Sequence, residues 1–351
     1  MNHKTSESPN TVAEWEALGQ AKLAPGAAAY IAGAAADEIS LRWNREAFDV
    51  CKLRVRVPWE APPLHTEVEI FGAVLPSPIY LAPTAYHRVF HPDGEVATAR
   101  GASLAGLPYC VSSGCTTPLD QIAAAATVPL WFQLYLAKDR GRARELVAMV
   151  QDVGVTALVL TVDTPAAGAR DREKRANFQL PAGVEVPYWS HVRDEADASP
   201  NPVTWRDVEW LVAAARVPVC VKGVLDPDDA EIAADLGVRG VMVSNHGARN
   251  LDTVPSSLEA LPAIVDRVGD RVVVTLDGGV RRGTDVLKAI AYGAQAVGVG
   301  RPYLYGLAAA GADGVAGVMK ILQREFAIAL ALTGVRDINQ LDGRVLWDSS
   351  K

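Results

Sequence analysis

A parallel eight-stranded α/β barrel is the fold class this sequence predicts, on three observations. From Pro78 onward, short apolar runs suited to strands buried on both faces alternate with alanine-rich helical stretches. Eight such runs can be placed, at 79–82, 109–111, 130–134, 157–162, 219–221, 240–243, 272–276 and 296–299. Polar residues collect at the C-terminal end of each, where a barrel carries its chemistry. A doubly wound sheet of nine strands is the structural alternative. The repeat period is irregular, which argues against a solenoid.

Ahead of the barrel, residues 11–30 have helical apolar spacing and are rich in alanine, and residues 31–38 read as the start of a second helix with an acidic first turn at Asp37 and Glu38. Residues 50–63 are proline-spaced, irregular and basic, as expected of a segment wrapped around the body. Residues 68–75 alternate like a short hairpin that bends at Phe71-Gly72. The domain division expected is therefore 1–77 for helices and wrapping segment, 78–335 for the barrel and 336–351 for a C-terminal tail. One connection breaks the barrel rhythm. Residues 170–205, highly charged at first and then rich in proline and aromatics, lack clear periodicity and read as a lid over the mouth.

With 351 residues, 49% hydrophobic and 21% charged, the chain is composed like an ordinary globular protein. Its net charge of -7 and lack of a basic run argue against a nucleic-acid groove. The polar opening does not read as a secretory signal, no apolar run is long enough to span a bilayer, and the expected compartment is the cytoplasm. Cys51, Cys110, Cys115 and Cys220 have no Cys-x-x-Cys spacing and read as small hydrophobes in a reducing environment.

The densest chemistry lies at 243–252, where a buried strand ends and Ser244, Asn245, His246, Arg249 and Asp252 follow closely. His246 can exchange a proton near neutral pH, and Arg249 can grip a carboxylate at two points. The alternative reading is a structural histidine in a loop. The other strand ends supply Pro83-Thr84-Ala85-Tyr86, Ser112-Ser113, Gln133 and Tyr135, Thr161 and Asp163, Lys222-Gly223, Asp277-Gly278-Gly279-Val280-Arg281 and Gly300-Arg301. Paired glycines with Arg281 and Arg301 predict a phosphate site, since backbone amides can approach closely and the guanidiniums add fixed charge. Lys222 is costly to bury without an anionic partner. Ser112, Gln133 and Thr161 suit the edge of a planar heterocycle. Together these predict a mononucleotide-like cofactor, flavin foremost. His87 and His91, beside Phe90, read as supporting or surface residues, and with no ligand cluster in view no metal is expected.

Several stretches resemble the FMN-dependent 2-hydroxy-acid oxidase and dehydrogenase family, which includes glycolate, lactate and hydroxymandelate oxidases. They are Pro83-Thr84-Ala85, Phe132-Gln133-Leu134-Tyr135, Thr161-Val162-Asp163-Thr164-Pro165, Val221-Lys222-Gly223, Ser244-Asn245-His246-Gly247-Ala248-Arg249 and Asp277-Gly278-Gly279-Val280-Arg281-Arg282-Gly283-Thr284-Asp285. The resemblance covers nearly the whole chain, and it implies FMN as cofactor and a homotetramer. It places the main chain of Pro83, Thr84 and Ala85 at the reactive edge of the flavin, and Ser112, Gln133, Thr161 and Ser244 on the ring or ribityl chain. Lys222 would lie beside the edge that becomes negative on reduction. Asp277, Gly278, Gly279, Val280, Arg281, Gly300 and Arg301 would hold ribityl and phosphate. Tyr30, Arg170 and Arg249 would bind the substrate carboxylate and Tyr135 its oxygen. His246 would be the base, paired with Asp163. The implied reaction is oxidation of an (S)-2-hydroxy acid to the 2-oxo acid, with oxygen or another acceptor reoxidising the flavin.

Departures from the family pattern bear on the substrate. Gly114-Cys115 stands where glycolate oxidase has tryptophan, Tyr86 where it has methionine, and Ala166 and Ala169 where arginines are common. Loss of the tryptophan should enlarge the side-chain end of the pocket. A bulkier or unusual 2-hydroxy acid is expected, with aryl-substituted acids among the candidates. Competing readings are an FMN barrel acting on a non-standard substrate in specialised metabolism, a non-redox FMN isomerase and a flavin binder without catalysis.

Overall fold

A computed structural model describes residues 9–57, 63–192 and 202–347. Its helices are α1 (Val12–Lys22), α2 (Pro25–Ala32), α3 (Ile39–Val50), α4 (Gly94–Ala105), α5 (Leu119–Ala125), α6 (Arg140–Val153), α7 (Asp171–Arg175), α8 (Trp189–Val192), α9 (Trp205–Ala214), α10 (Pro227–Asp235), α11 (Ser257–Val268), α12 (Gly283–Ala291) and α13 (Arg301–Leu332). Strands β1 (Val68–Ile70) and β2 (Ala73–Leu75) form an antiparallel hairpin. Strands β3 (Ile79–Leu81), β4 (Tyr109–Ser112), β5 (Leu130–Leu134), β6 (Ala157–Thr161), β7 (Val219–Val224), β8 (Gly240–Val243), β9 (Val273–Asp277) and β10 (Ala296–Val299) are parallel. They close into a barrel in sequence order, β10 pairing with β3. This is the predicted barrel, and the open doubly wound sheet is excluded.

Period-two alternation along the strands explains why the mouth is polar. The inward-facing residues near the bottom include Tyr80, Cys110, Trp131, Ala157, Cys220, Met242 and Ala296, which pack in one apolar cluster. Two residues further along, the same face carries Ala82, Ser112, Gln133, Lys222, Ser244 and Gly298. The β1–β2 hairpin seals the bottom. Ile70 and Leu75 join that cluster, and the Phe71 ring lies edge-on to Trp131 at 5.3 Å. Among the described residues, it is the C-terminal end of the barrel that is left open for a site. The outward faces of the strands pack on the helices in a second, larger apolar cluster.

The N-terminal helices differ from the expected pattern. The helix expected over 11–30 is split, because Pro25 cannot continue α1 and instead starts α2. The acidic pair Asp37-Glu38 lies outside the next helix. Glu38 is its left-handed N-cap residue (φ 58°), and the first amides of α3 donate to Asp252, at 3.1 Å from Ile39 and 2.8 Å from Ser40. That distant carboxylate replaces a local cap and ties α3 to the β8 end. The α3 residue Asn44 strengthens the tie, exchanging side-chain amide bonds with Asn245 at 3.0 and 2.9 Å.

The connection read as a lid without clear periodicity carries α7 and α8. Its last residue, Trp205, begins α9 behind a capping box of Thr204 and Asp207. Near the C-terminus, Leu346 bridges to Leu53 and Asp337 to His65, anchoring this segment to the residues before the hairpin. The parts of the notional lid at 193–201, of the wrapping segment at 58–62 and of the two termini at 1–8 and 348–351 lie outside the described residues.

Candidate active site

The barrel mouth opens into a cavity of about 620 Å³, within the range of small-molecule and cofactor sites. Its lining includes Pro83, Thr84, Ala85, Ser112, Gln133, Tyr135, Thr161, Lys222, His246, Arg249, Gly278, Arg281 and Arg301, which brings together residues from every barrel strand end. Tyr30 and Arg170 also line it, from α2 and from the β6–α7 connection. Asp163 stands behind His246, and Ser244 is fully buried beneath it.

His246 is aimed by an unusual turn. His246, Gly247 and Ala248 all have left-handed backbone, with φ of 58°, 63° and 63°. The turn is closed by the Ala248 amide donating to the Asn245 carbonyl at 2.9 Å. Such geometry is costly for residues with a Cβ and persists only where surrounding contacts impose it. Here the Asn245 side chain also accepts from the Ala248 amide at 3.0 Å, and the Ser244 hydroxyl accepts from the His246 amide at 3.0 Å. The imidazole Nδ1 lies 3.0 Å from Asp163 Oδ1. With the Nδ1 proton donated to that carboxylate, the lone pair sits on Nε2. Burial pushes the imidazole below its ordinary pKa despite the pull of Asp163, and Lys222 and Arg170 push the same way. Burial acts to raise the Asp163 carboxyl, but His246 and Lys222 outweigh it and leave the group below the ordinary value. Asp163 reaches its place because Gly223 (φ 104°) has no side chain. A Cβ there would fall 2.4 Å from Asp163 Cγ.

Beneath this pair, Lys222 Nζ donates to Ser244 Oγ at 2.9 Å and lies 3.2 Å from Asp277 Oδ2, while Ser244 Oγ donates to Asp277 Oδ1 at 2.6 Å. Burial would lower the ammonium pKa, yet Asp277 and Asp163 more than offset it and hold the value raised. Lys222 is thus a permanent cation at the mouth. Across the barrel Ser112 Oγ donates to Gln133 Oε1 and Gln133 Nε2 to Thr161 Oγ1, both at 2.9 Å. These form a buried row of neutral polar groups.

At the ends of β9 and β10 the backbone comes close to the cavity. Gly278 and Gly279 have φ of 106° and 82°, and a Cβ on Gly279 would lie 2.1 Å from the Asn44 carbonyl oxygen. The amides of Arg281 and Arg282 both donate to Asp285 Oδ2, at 2.8 and 3.0 Å. Arg301 is held by main-chain carbonyls, its Nε donating to Ile31 at 2.7 Å and its Nη2 to Gly33 and Gly247 at 2.9 Å each. Burial together with Arg249 and Arg281 pushes its pKa down to about 9. Arg281 is lowered as well, by burial first. Cations crowded this closely need an anion between them.

The side of the cavity under α7 and α8 is aromatic. Tyr30 lies 4.7 Å from Phe178 and 5.5 Å from Tyr86, and Tyr86 lies 6.0 Å from Trp189, as ring-centroid distances. The space expected from the missing tryptophan is not simply vacant. Gly114 borders the cavity but is packed so that a Cβ would meet Ala85 Cβ at 2.8 Å, and Cys115 is fully buried away from the cavity lining. Arg249 lines the cavity as well, with a partner that the sequence did not indicate. Its Nη2 pairs with Glu173 Oε1 at 2.6 Å, and the second Glu173 oxygen lies 3.8 Å from Arg170.

Comparison with known proteins places this site. The family model for FMN-dependent dehydrogenase matches residues 19–348. A 2-hydroxyacid oxidase of Dictyostelium discoideum is 39% identical, with 100% of this chain and 94% of the relative covered. An L-lactate oxidase of Nostoc sp. is also 39% identical, covering 95% of this chain and 97% of the relative. Among solved structures, mandelate oxidase with (S)-2-phenylpropionate superposes with a TM-score of 0.91 at 38% identity, over 97% of this chain and 98% of that one. The chain belongs to the FMN-dependent 2-hydroxy-acid oxidase and dehydrogenase family. It is a flavoprotein oxidoreductase that uses FMN and acts on the CH–OH group of a 2-hydroxy acid.

The residues present in this FMN-dependent oxidoreductase fit that cofactor. Crowded guanidiniums with depressed pKa values and the glycine-lined approach at 278–279 suit a phosphate. The hydroxyl of Ser113 and the side-chain oxygen of Asn250, both at the cavity, are buried without a hydrogen-bond partner in the protein. Glu95 and Glu173 escaped the sequence reading, whereas His87 is the supporting residue expected. Fully buried Glu95 accepts from the amides of His87 and Thr116 and from the hydroxyls of Thr116 and Thr117, tying the β3 and β4 loops together. His87, fully buried, bonds Thr84 through Nε2 at 2.7 Å, whereas the half-exposed ring of His91 lies 4.0 Å from Asp93. Glu173 was hidden inside a run of charges, and no spacing singles it out.

Proposed function

We propose that this enzyme oxidises an (S)-2-hydroxy acid with a bulky, aryl-type side chain to the 2-oxo acid. The observation that carries the reading is one cavity joining the His246–Asp163 pair, two guanidiniums and an aromatic wall. Arg249 and Arg170 take the substrate carboxylate, with Tyr30 beside them, and Tyr135 takes the oxygen on C2. Tyr86, Phe178 and Trp189 receive the side chain. His246 accepts a substrate proton on Nε2 and Asp163 stabilises the imidazolium that results. His246 and Asp163 are the catalytic pair, with Tyr135 assisting.

FMN supplies the two-electron acceptor. Arg281 and Arg301, with the backbone from Asp277 through Val280 and at Gly300, hold its phosphate and ribityl chain. Ser112, Gln133, Thr161 and Ser244 meet the ring edge, and Pro83, Thr84 and Ala85 supply main chain against it. Lys222 would set its fixed positive charge beside that ring edge, an electrostatic stabilisation prepared before reaction. Holding the acid between the guanidiniums and His246 makes the step effectively unimolecular.

In this reading, residues 78–335 form the catalytic barrel, 170–205 its lid, and 1–77 and 336–351 its supports. Oxygen or another acceptor would take up the two electrons removed from the acid. The working assembly is a homotetramer in the cytoplasm. Among the described residues no helix is long and apolar enough to cross a membrane. Anaerobic mixing of the yellow holoenzyme with aliphatic and aromatic 2-hydroxy acids tests the reading. Bleaching fastest with (S)-aryl acids is expected, and peroxide formation on readmitting air identifies oxygen as acceptor. Equal or faster bleaching by glycolate would overturn the side-chain assignment, and no bleaching by any acid would leave a non-redox FMN barrel.

A further inference from the structure

We infer that Glu173 is an internal carboxylate that competes with the substrate for Arg249 and so sets the affinity of the site for carboxylates. The inference rests on the reading that Arg249 and Arg170 hold the substrate carboxylate. Arg249 does not need Glu173 for its orientation. Its Nη1 is already fixed by the carbonyls of Tyr30 at 2.8 Å and Gly33 at 2.9 Å, and its guanidinium carbon lies 4.7 Å from the Tyr30 ring centroid. Glu173 instead uses the remaining amino group, Nη2, at 2.6 Å, and its other oxygen leans toward Arg170 Nη1 at 3.8 Å. A carboxylate thus lies between the two guanidiniums and borders the cavity. It is carried by α7, a helix of five residues that contributes no residue to the apolar core, and its side chain is 12% exposed, so it can turn off Arg249 without moving a core residue.

Competition of this kind lowers the affinity for every carboxylate by a common factor, the fraction of molecules in which Arg249 is free. An acid bound mainly through its carboxylate then stays below saturation. An acid whose ring also packs on Tyr86, Phe178 and Trp189 gains enough to displace Glu173. Occupancy at a given concentration is decided by the side chain.

The test uses FMN-loaded wild type, Glu173→Gln and Glu173→Ala, with binding read from the perturbation of flavin absorbance by acetate, phenylacetate and neutral phenylacetamide. FMN content and melting temperature establish that each variant is folded. Both substitutions should tighten acetate and phenylacetate alike, by on the order of 10-fold, the worth of one charge-assisted hydrogen bond. Phenylacetamide should not change. Unchanged or weaker carboxylate binding in both variants would overturn the inference and make Glu173 a support for Arg249. If wild type itself shows no preference for phenylacetate over phenylacetamide, the carboxylate anchor fails and the inference with it.

Discussion

At the ends of β7, β8 and β9 the cavity floor consists of side chains that bond one another and are almost wholly buried. The Lys222 and Asp277 side chains are 6% and 9% exposed and share Ser244. Across the mouth, the β6–α9 connection presents Arg170, 29% exposed, on a short helix start whose charges have several possible partners. The floor is a satisfied low-dielectric network in which one deletion strands a charge. On the opposite side Arg170 is more exposed, while Arg249 and Glu173, 13% and 12% exposed, pair with each other and not with the floor. In the proposed reading, chemistry belongs to the floor and selectivity to the side formed by the β6–α9 connection.

Substitutions sharpen that division. The largest effect is expected at His246→Ala, which should retain FMN but lose roughly 10²–10⁴-fold in anaerobic flavin reduction. Stopped-flow bleaching checks it, and an unchanged rate would remove His246 from the chemistry. The wild-type pH profile follows from the same group. Only neutral imidazole accepts a proton, and its depressed pKa keeps it neutral to lower pH, so reduction should be flat through neutrality and fall only below the ordinary histidine range. Next comes Lys222→Met, which leaves Asp277 buried without its cation and should cost about 3–5 kcal/mol of stability in denaturant unfolding of the FMN-free protein. Loss of less than 1 kcal/mol would mean the floor is not the coupled unit described. The smallest effect is expected on the lid side. Tyr86→Ala removes ring contacts worth about 0.5–1.5 kcal/mol each, so kcat/KM for an aryl acid should fall about 2- to 10-fold while that for lactate holds. An equal fall for both would move Tyr86 from selectivity to support.

Much of the floor was legible in the sequence because barrel geometry turns strand order into spatial order. Ser112, Gln133, Thr161, Lys222, Ser244 and Asp277 each fall at the end of an apolar run, and closure of β10 on β3 brings those ends into one ring. Asp252 was visible in the densest polar stretch, but its work as the N-terminal cap of α3 was not, since its partners lie more than two hundred residues away in the chain. The same holds for Asn44 with Asn245 and for Glu95, whose partners come from separate loops. The helix expected to begin with Asp37-Glu38 begins after them, because a cap from another element outweighed the local acidic signal.

By itself the sequence determined the barrel, through strand spacing, and the set of residues at its mouth, through period-two alternation of a closed sheet. It also carried the motifs from which FMN and a 2-hydroxy acid could be named. Only tertiary structure decided which charges meet. It put Glu173 between Arg249 and Arg170, bent 246–248 into a left-handed turn and let Asp163 approach over Gly223. Hydrophobic patterning is written locally along the chain, whereas ion pairs depend on distances of a few ångströms that arise only once separate loops are brought together.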